Sequence, residues 1–461
     1  MIDNNKDSSR KESVFKKDWT KGPIISNLLL LSWPMVIMEF LYMTSQIVDM
    51  IWVGRLGSAS IAGVGIANIV LMIVMSMDFG LIMGSRAMIA RFIGAGDFRG
   101  ANNVTGQTIL LGAIWGALIS IIGILSAEPI LGLFGLEADV VAEGAAYMRI
   151  IFLGWVAMEL LVMCLFTIQA SGDTLTPMIV EAVIRVFHVV LCPLFVLGWW
   201  VFPRLGVSGA ALSNVISHSL GVIILLWILF KGYSRLRLTL RDFRPVPGII
   251  WRIAKIGIPA LVMNLQKAIG DLVLTWLIVP FGTLAVAAHS LTCRVEMFLL
   301  SLAIGVGGGA GVLIGQNLGA GQPEQAERSG WFATGFVEAI MVACAVAILQ
   351  WAENIMGIFT SEPDLVEIGS IFLRIATASY AMMAIVFVLQ SGIAGAGDTL
   401  PTMVVSIAMT WVVLLPLAYL LPRVTDFGVY GVRWAIVAGA LSGAVTFIIY
   451  FRLGRWKAKR V

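Results

Sequence analysis

Charge is what this sequence has least of. Of its 461 residues 13% are Asp, Glu, Lys or Arg and 59% are hydrophobic, against roughly 25% and 45–50% in soluble domains. A surface built for water is thereby excluded. Cysteine is scarce as well. Cys164, Cys192, Cys293 and Cys344 all fall inside apolar stretches, where the free thiol behaves as a small hydrophobe, so no disulfide framework is implied. There is no Walker motif, nucleophile elbow or metal-ligand spacing, and the chain is read as not an enzyme, with no metal and no cofactor. Gly305 to Gly311 imitates a dinucleotide loop, yet it lies in an apolar run with no strand before it. Close helix packing through small residues explains it better. The net charge of +4 does not point to nucleic acid, because the basic residues sit at the ends of apolar runs rather than across a soluble face.

Long apolar runs are what the sequence has instead. The mean hydropathy is +0.94, and stretches of roughly 20 residues, enough for a helix to cross about 30 Å of hydrocarbon, recur to the end of the chain. Twelve spans are read: 24–53, 59–90, 105–126, 143–168, 178–199, 207–230, 252–280, 285–314, 330–352, 367–393, 400–421 and 428–451. An outer-membrane barrel would alternate apolar and polar residues in short segments, and Ile109 to Leu125 does not. The fold class expected is an all-α integral membrane protein.

Lys and Arg cluster in the N-terminal tail (Lys6, Arg10, Lys11, Lys16, Lys17, Lys21), after the second span (Arg91, Arg99), in the middle (Lys231, Arg235, Arg237, Arg241, Arg244) and in the C-terminal tail (Arg452, Arg455, Lys457, Lys459, Arg460). All lie on one side, so the positive-inside bias predicts a multi-pass protein of the cell inner membrane with both termini cytoplasmic. The first apolar run is too long for a signal-peptide core and is expected to be retained. The layout is a tail at 1–23, a six-helix bundle at 24–230, a basic linker at 231–251, a second bundle at 252–451 and a basic tail at 452–461.

The two bundles repeat one another. At an offset of 225 residues Pro34 meets Pro259, Gly57 meets Gly282, Gly94-Ala-Gly96 meets Gly319-Ala-Gly321, Arg149 meets Arg374, and Gly172-Asp-Thr-Leu175 meets Gly397-Asp-Thr-Leu400. Later His188-Val-Val-Leu-Cys-Pro193 faces Trp411-Val-Val-Leu-Leu-Pro416, with a drift of two or three residues. Six spans per half is an even number, so the halves are parallel repeats related by an axis along the membrane normal, a transporter architecture.

Ionisable groups at membrane depth are costly, and functional by default. In the first span Glu39, Tyr42, Gln46 and Asp49 share one helical face. The fifth span repeats the pattern with Glu181, Arg185, His188 and Cys192, and the sixth adds Ser213, Asn214, Ser217 and His218. Such stripes must face a bundle interior or a watery cavity. Asp49 is the leading residue, because its repeat mate is Leu274 and the carboxylate is therefore an addition to the scaffold. The alternative is a structural carboxylate locked to Arg185 or a backbone amide. Histidine titrates where a proton antiporter works, which makes His188 a second candidate, while Glu181 and Arg185 read as a structural pair. In the second half Asn264, Lys267 and Asp271 share a face, as do His289, Cys293 and Glu296. Lys267 and Asp271 are expected to neutralise each other, and Glu296 to be open to a cationic ligand. Asp78, Glu159 and Glu338 read as single charges.

Val48-Asp-Met-Ile-Trp-Val53, Arg91-Phe-Ile-Gly-Ala-Gly-Asp97 and Val312-Leu-Ile-Gly-Gln-Asn-Leu-Gly-Ala-Gly321, in twelve spans of two halves, resemble the MATE family of multidrug and toxin extrusion transporters over nearly the whole chain. The resemblance implies export of small-molecule organic cations or amphiphilic drugs in exchange for protons or sodium ions; the chain is expected to be a monomer in the lipid bilayer. It places the first-span coupling aspartate on Asp49, the fourth-span tyrosine on Tyr147 and a sixth-span threonine on Asn214. Where the family has Asn-x-x-x-Asp-Pro, this chain has His188 and Cys192 before Pro193. The DinF-like branch fits better than the NorM-like branch, whose seventh-span glutamate aligns with Lys267. Hard cations want several oxygen ligands, and imidazole and thiol remove oxygens while adding titratable groups, so protons are favoured over sodium. Cation coupling is thus assigned to Asp49, His188, Cys192, Asn214 and Gln46, and substrate binding to Glu39, Tyr42, Tyr147, Glu296 and Asp271. A flippase for lipid-linked precursors of the same superfamily is the rival reading.

Overall fold

The computed structural model describes residues 17–135, 137–200 and 202–459, without the side chains of 46, 47, 58 and 59. Residues 1–16 of the basic tail, Arg460 and the side chain of Gln46 lie outside the described residues. Among those described there is helix and no strand. The helices are α1 (Ile24–Val53), α2 (Ser58–Gly94), α3 (Phe98–Gly132), α4 (Ala138–Leu153), α5 (Trp155–Ala170), α6 (Leu175–Leu197), α7 (Val207–Lys231), α8 (Pro247–Ile278), α9 (Thr283–Gly319), α10 (Pro323–Phe359), α11 (Pro363–Gly395), α12 (Thr399–Ile407), α13 (Leu415–Val424) and α14 (Val429–Leu453). A π-helical stretch, Ala408–Leu414, joins α12 to α13. Its wide turn precedes Pro416, which has no N–H to give an acceptor four residues back.

Eleven of the helical segments are long and apolar enough to cross a membrane, and a twelfth span is the pair α4 and α5, bent by 53°. The bend falls at Gly154, where a Cβ would lie 2.4 Å from Val215 Cγ1, so a bare backbone lets α7 approach the corner.

The chain forms two compact units. Of the described residues, unit 1 holds 17–21 and Ile37–Lys255, and unit 2 holds Gly22–Val36 and 256–459. The division follows the repeat rather than the helix ends. The first part of α1, through Val36, belongs to unit 2, and the first part of α8, through Lys255, belongs to unit 1.

Backbone conformation carries the repeat. Gly57, Gly96 and Gly172 have φ of 124°, 77° and 93°, and Gly282, Gly321 and Gly397, each 225 residues on, have φ of 97°, 73° and 86°. Only glycine takes these left-handed turns without strain. The ion pairs repeat too. Arg149 meets Glu128 at 2.7 Å in unit 1, and Arg374 meets Glu353 at 2.9 Å in unit 2.

In unit 2 the glycine run of α9 is a packing device, as its context suggested. A Cβ on Gly305 would lie 2.8 Å from Val36 Cα, one on Gly309 3.1 Å from Ser32 Cα, and one on Gly395 2.3 Å from the Gly311 carbonyl oxygen. In unit 1 the linker after α7 is not a free tether. The Gln107 amide of α3 donates to the carbonyls of Asp242 and Arg244, both at 2.8 Å, and accepts from the Val246 N–H at 3.0 Å.

Candidate cation site in unit 1

Asp49 lies near the end of α1 and its carboxylate is held from two other helices. The Asn214 amide of α7 donates to Oδ2 at 3.0 Å. From α6, His188 Nε2 stands 3.1 Å from Oδ1 and the Cys192 thiol 3.6 Å from the same oxygen. The other ring nitrogen of His188, Nδ1, is 3.0 Å from Ser45 Oγ. The imidazole therefore bridges two α1 residues one turn apart, a geometry that four-residue spacing on each helix creates. His188 is fully buried, whereas the Asp49 side chain retains 16% exposure, so the carboxylate is the wet end of the chain Asp49, His188, Ser45.

Burial continues around this group. Tyr147 of α4 is 4% exposed and lies in the electrostatic field of Asp49, within the apolar cluster of Val53, Phe152, Cys192 and Val196. Tyr42 is exposed, with the Arg185 guanidinium 5.6 Å over its ring. Arg185 itself is paired with Glu181, by Nε at 2.8 Å and by a second, shorter contact. It is not the partner of Asp49, and the structural alternative in which Arg185 neutralises that carboxylate does not hold. Glu39 lies half-buried between the charges of Arg86 and Glu181.

The donor atoms of Asp49, His188 and Cys192 lie within 4.8 Å of one another, close enough to surround one small cation. The set supplies one nitrogen and one sulfur beside the carboxylate. A hard ion that prefers six or more oxygens is poorly served by it, whereas each of the three groups can take up a proton.

The unit 2 counterpart is neutral. Leu274, the mate of Asp49, is 5% exposed in an apolar cluster. Trp411, the mate of His188, donates its indole N–H to the Gln266 carbonyl at 3.0 Å, and the Gln266 amide donates to Ser406 at 2.9 Å. One scaffold thus carries a titratable cluster in one copy and an uncharged hydrogen-bond chain in the other.

The remaining acidic candidates fall elsewhere. Glu296 was expected to be open to a cationic ligand, but Arg433, fully buried on α14, contacts its carboxylate and also stands 3.3 Å from His289 Nδ1. Its charge is balanced before any cation arrives. Lys267 and Asp271 are both exposed and make no ion pair among the described residues, although the Lys267 charge acts on the Asp271 carboxylate. The Lys267 ammonium also lies 5.0 Å over the ring of Phe387. The sequence reading did not single out Ser45, Arg86 or Arg433. Ser45 was signalled only by standing four residues before Asp49, and the other two by being lone arginines inside apolar spans.

Comparison with known proteins places this geometry in a family. The profile of the MatE family matches residues 34–194 and 259–420, once in each half. A relative from Thermotoga maritima, the "Probable multidrug resistance protein NorM", is 25% identical over 449 residues, covering 95% of this chain and 94% of its own. The "FAD transporter" of Shewanella oneidensis is 24% identical over 433 residues, covering 94% and 95%. A solved structure described as "MATE in the bent conformation" superposes with a TM-score of 0.88 at 25% identity, covering 95% of this chain and 96% of that one. With both halves matched and eleven apolar spans, or twelve with the bent pair, the chain belongs to the MatE family of membrane transporters and is not an enzyme.

Proposed function

We propose that this protein is a secondary active exporter of organic cations or amphiphilic compounds, driven by protons entering in exchange, with Asp49 as the proton carrier. It works as a monomer in the cell inner membrane with both termini cytoplasmic, as the distribution of Lys and Arg suggests. The observation that carries the reading is the asymmetry of the repeat. A partly wet carboxylate bonded to Asn214, with His188 Nε2 3.1 Å away, stands in unit 1, where unit 2 has a buried leucine. A charge added to a scaffold that folds without it calls for a role beyond packing. The nitrogen and sulfur around it favour protons over sodium, and a first-half site of this kind suits the DinF-like branch of the family. Coupling follows when cargo and proton favour different states of one transporter, a free energy shared between two ligands.

The cargo of the Thermotoga relative, a drug by its name, and that of the Shewanella relative, FAD, differ. Glu39 and the exposed ring of Tyr42 support a cationic or aromatic cargo here. The test is dye efflux from vesicles holding the purified protein, under a proton gradient alone and under a sodium gradient with pH clamped. Efflux should follow the proton gradient and vanish in Asp49→Asn. Efflux driven by sodium alone would replace the proton, and lipid scrambling without dye efflux would establish the flippase.

A further inference from the structure

Asp78 and Glu159 looked in the sequence like separate charges, one in the second span and one in the fourth. In unit 1 they meet. Both stand against one turn of α3: the Trp115 indole N–H donates to Asp78 Oδ1 at 2.9 Å, Gly112 and Gly116 face the Glu159 side chain of α5, and the two carboxyl groups act on each other there. Both acids are buried, with relative exposures of 7% and 2%. Glu159 lies in a notch of bare backbone. A Cβ on Gly116 would stand 3.2 Å from Glu159 Cβ, and one on Gly112 3.7 Å from Glu159 Oε1. That oxygen is buried and receives no amide, hydroxyl or cationic donor.

Among the described residues no countercharge reaches the pair. Among the described residues neither acid is in an ion pair. On α2, Arg86 faces Glu39 and Arg91 lies in the last turn. On α3, Arg99 is in the first turn and Glu128 is held by Arg149 of α4. The other charges of α4, Asp139 and Glu143, are acidic and near its start. On α6, Arg185 is closed on Glu181. On α7, His218 faces Arg185 and His188, and Lys231 is the last residue.

We infer that Asp78 and Glu159 form a proton-binding site of unit 1, separate from Asp49, in which the two carboxyl groups share one proton at neutral pH. Two carboxylates in contact cannot both ionise where burial weakens screening and no cation stands by. The proton bridges them, with Glu159 as the neutral acid and Asp78 as the anion, because the one polar donor, Trp115, is bonded to Asp78 and the Glu159 notch is apolar. Loss of the proton leaves two negative charges at the contact of α2 with α5, so occupancy of the site is tied to the packing of these helices.

Infrared spectra of the full chain in lipid nanodiscs, titrated in H2O and D2O, test this. The wild type should show a protonated-carboxyl C=O band at neutral pH that shifts in D2O, persists in Asp49→Asn and disappears in Glu159→Gln. Asp78→Asn removes the neighbouring charge and should lower the proton affinity of Glu159 at least tenfold, which is read as the pH at which the band is lost. Both substitutions are isosteric, and the Asp78→Asn arm stands if Glu159→Gln does not fold. A wild type without the band at neutral pH, a band unchanged in Glu159→Gln, or one lost in Asp49→Asn would overturn the site. Failure of Asp49→Asn to stop efflux would end the coupling reading and leave the band untouched.

Discussion

His188 Nε2 stands 3.1 Å from Asp49 Oδ1 while its other nitrogen faces Ser45. The imidazole is therefore placed to pass charge between a carboxylate at the edge of the site and a hydroxyl behind it. In the other repeat an indole and an amide occupy this place, and neither titrates in the range of a living cell.

Replacing His188 with Gln should keep the packing of α6 and remove the titrating ring. Proton-driven efflux should fall about tenfold or more. Initial rates across a pH series, at fixed gradient, decide it. A profile identical to wild type would show that Asp49 works without the ring.

Asn214→Leu removes the only amide donor to Asp49 Oδ2 among the described residues. A hydrogen bond to a charged group is worth about 1.5–3 kcal/mol. Proton-driven efflux should consequently fall about tenfold or more, while dye binding measured without a gradient stays near wild type. Efflux at the wild-type rate would contradict the assigned donor.

Arg433→Leu should be among the most destabilising substitutions in unit 2. It strands the half-buried Glu296 carboxylate, a loss at or below the about 3–5 kcal/mol seen when one partner of a fully buried pair is removed. Pairing it with Glu296→Leu should recover most of the melting temperature. The exposed pairs Arg149 with Glu128 and Arg374 with Glu353 serve as controls, since each contributes about 0–1 kcal/mol. A thermal melt of the purified protein ranks all three.

Asp18 gives a pH prediction away from the hydrocarbon. The Thr20 hydroxyl at 2.6 Å, the Thr20 N–H at 3.1 Å and the Lys21 ammonium at 3.2 Å hold its carboxyl below the usual carboxylate range, the hydroxyl contributing most. Because the folded value is depressed, the stabilisation is present above about pH 4 and is lost as pH falls through the lower, folded value. Hydrogen exchange of the segment holding Trp19, whose indole donates to the Gly172 carbonyl at 2.9 Å, should show protection falling below that pH. In Asp18→Asn the protection should be low throughout.

The sequence by itself determined the solvent, the span count and the repeat. Those follow from local chemistry: a run of apolar residues partitions into lipid wherever it occurs, and a glycine that must turn left-handed is needed at the same place in each copy, as Gly57 and Gly282 are. It also marked Asp49, His188 and Cys192, because each lies at a periodic position on its own helix. What it did not determine is which stripe faces which. Helical spacing says that Glu296 and His289 share a face, and nothing in it says that Arg433, more than a hundred residues later, closes on them. Nor does spacing bring Asp78 to Glu159 or Ser45 to His188. Partnership across helices depends on their rotation and depth, which are set by side-chain packing summed over whole interfaces. In a protein whose buried charges are few, a single such pairing decides whether a carboxylate is neutralised, shared or left to carry a proton.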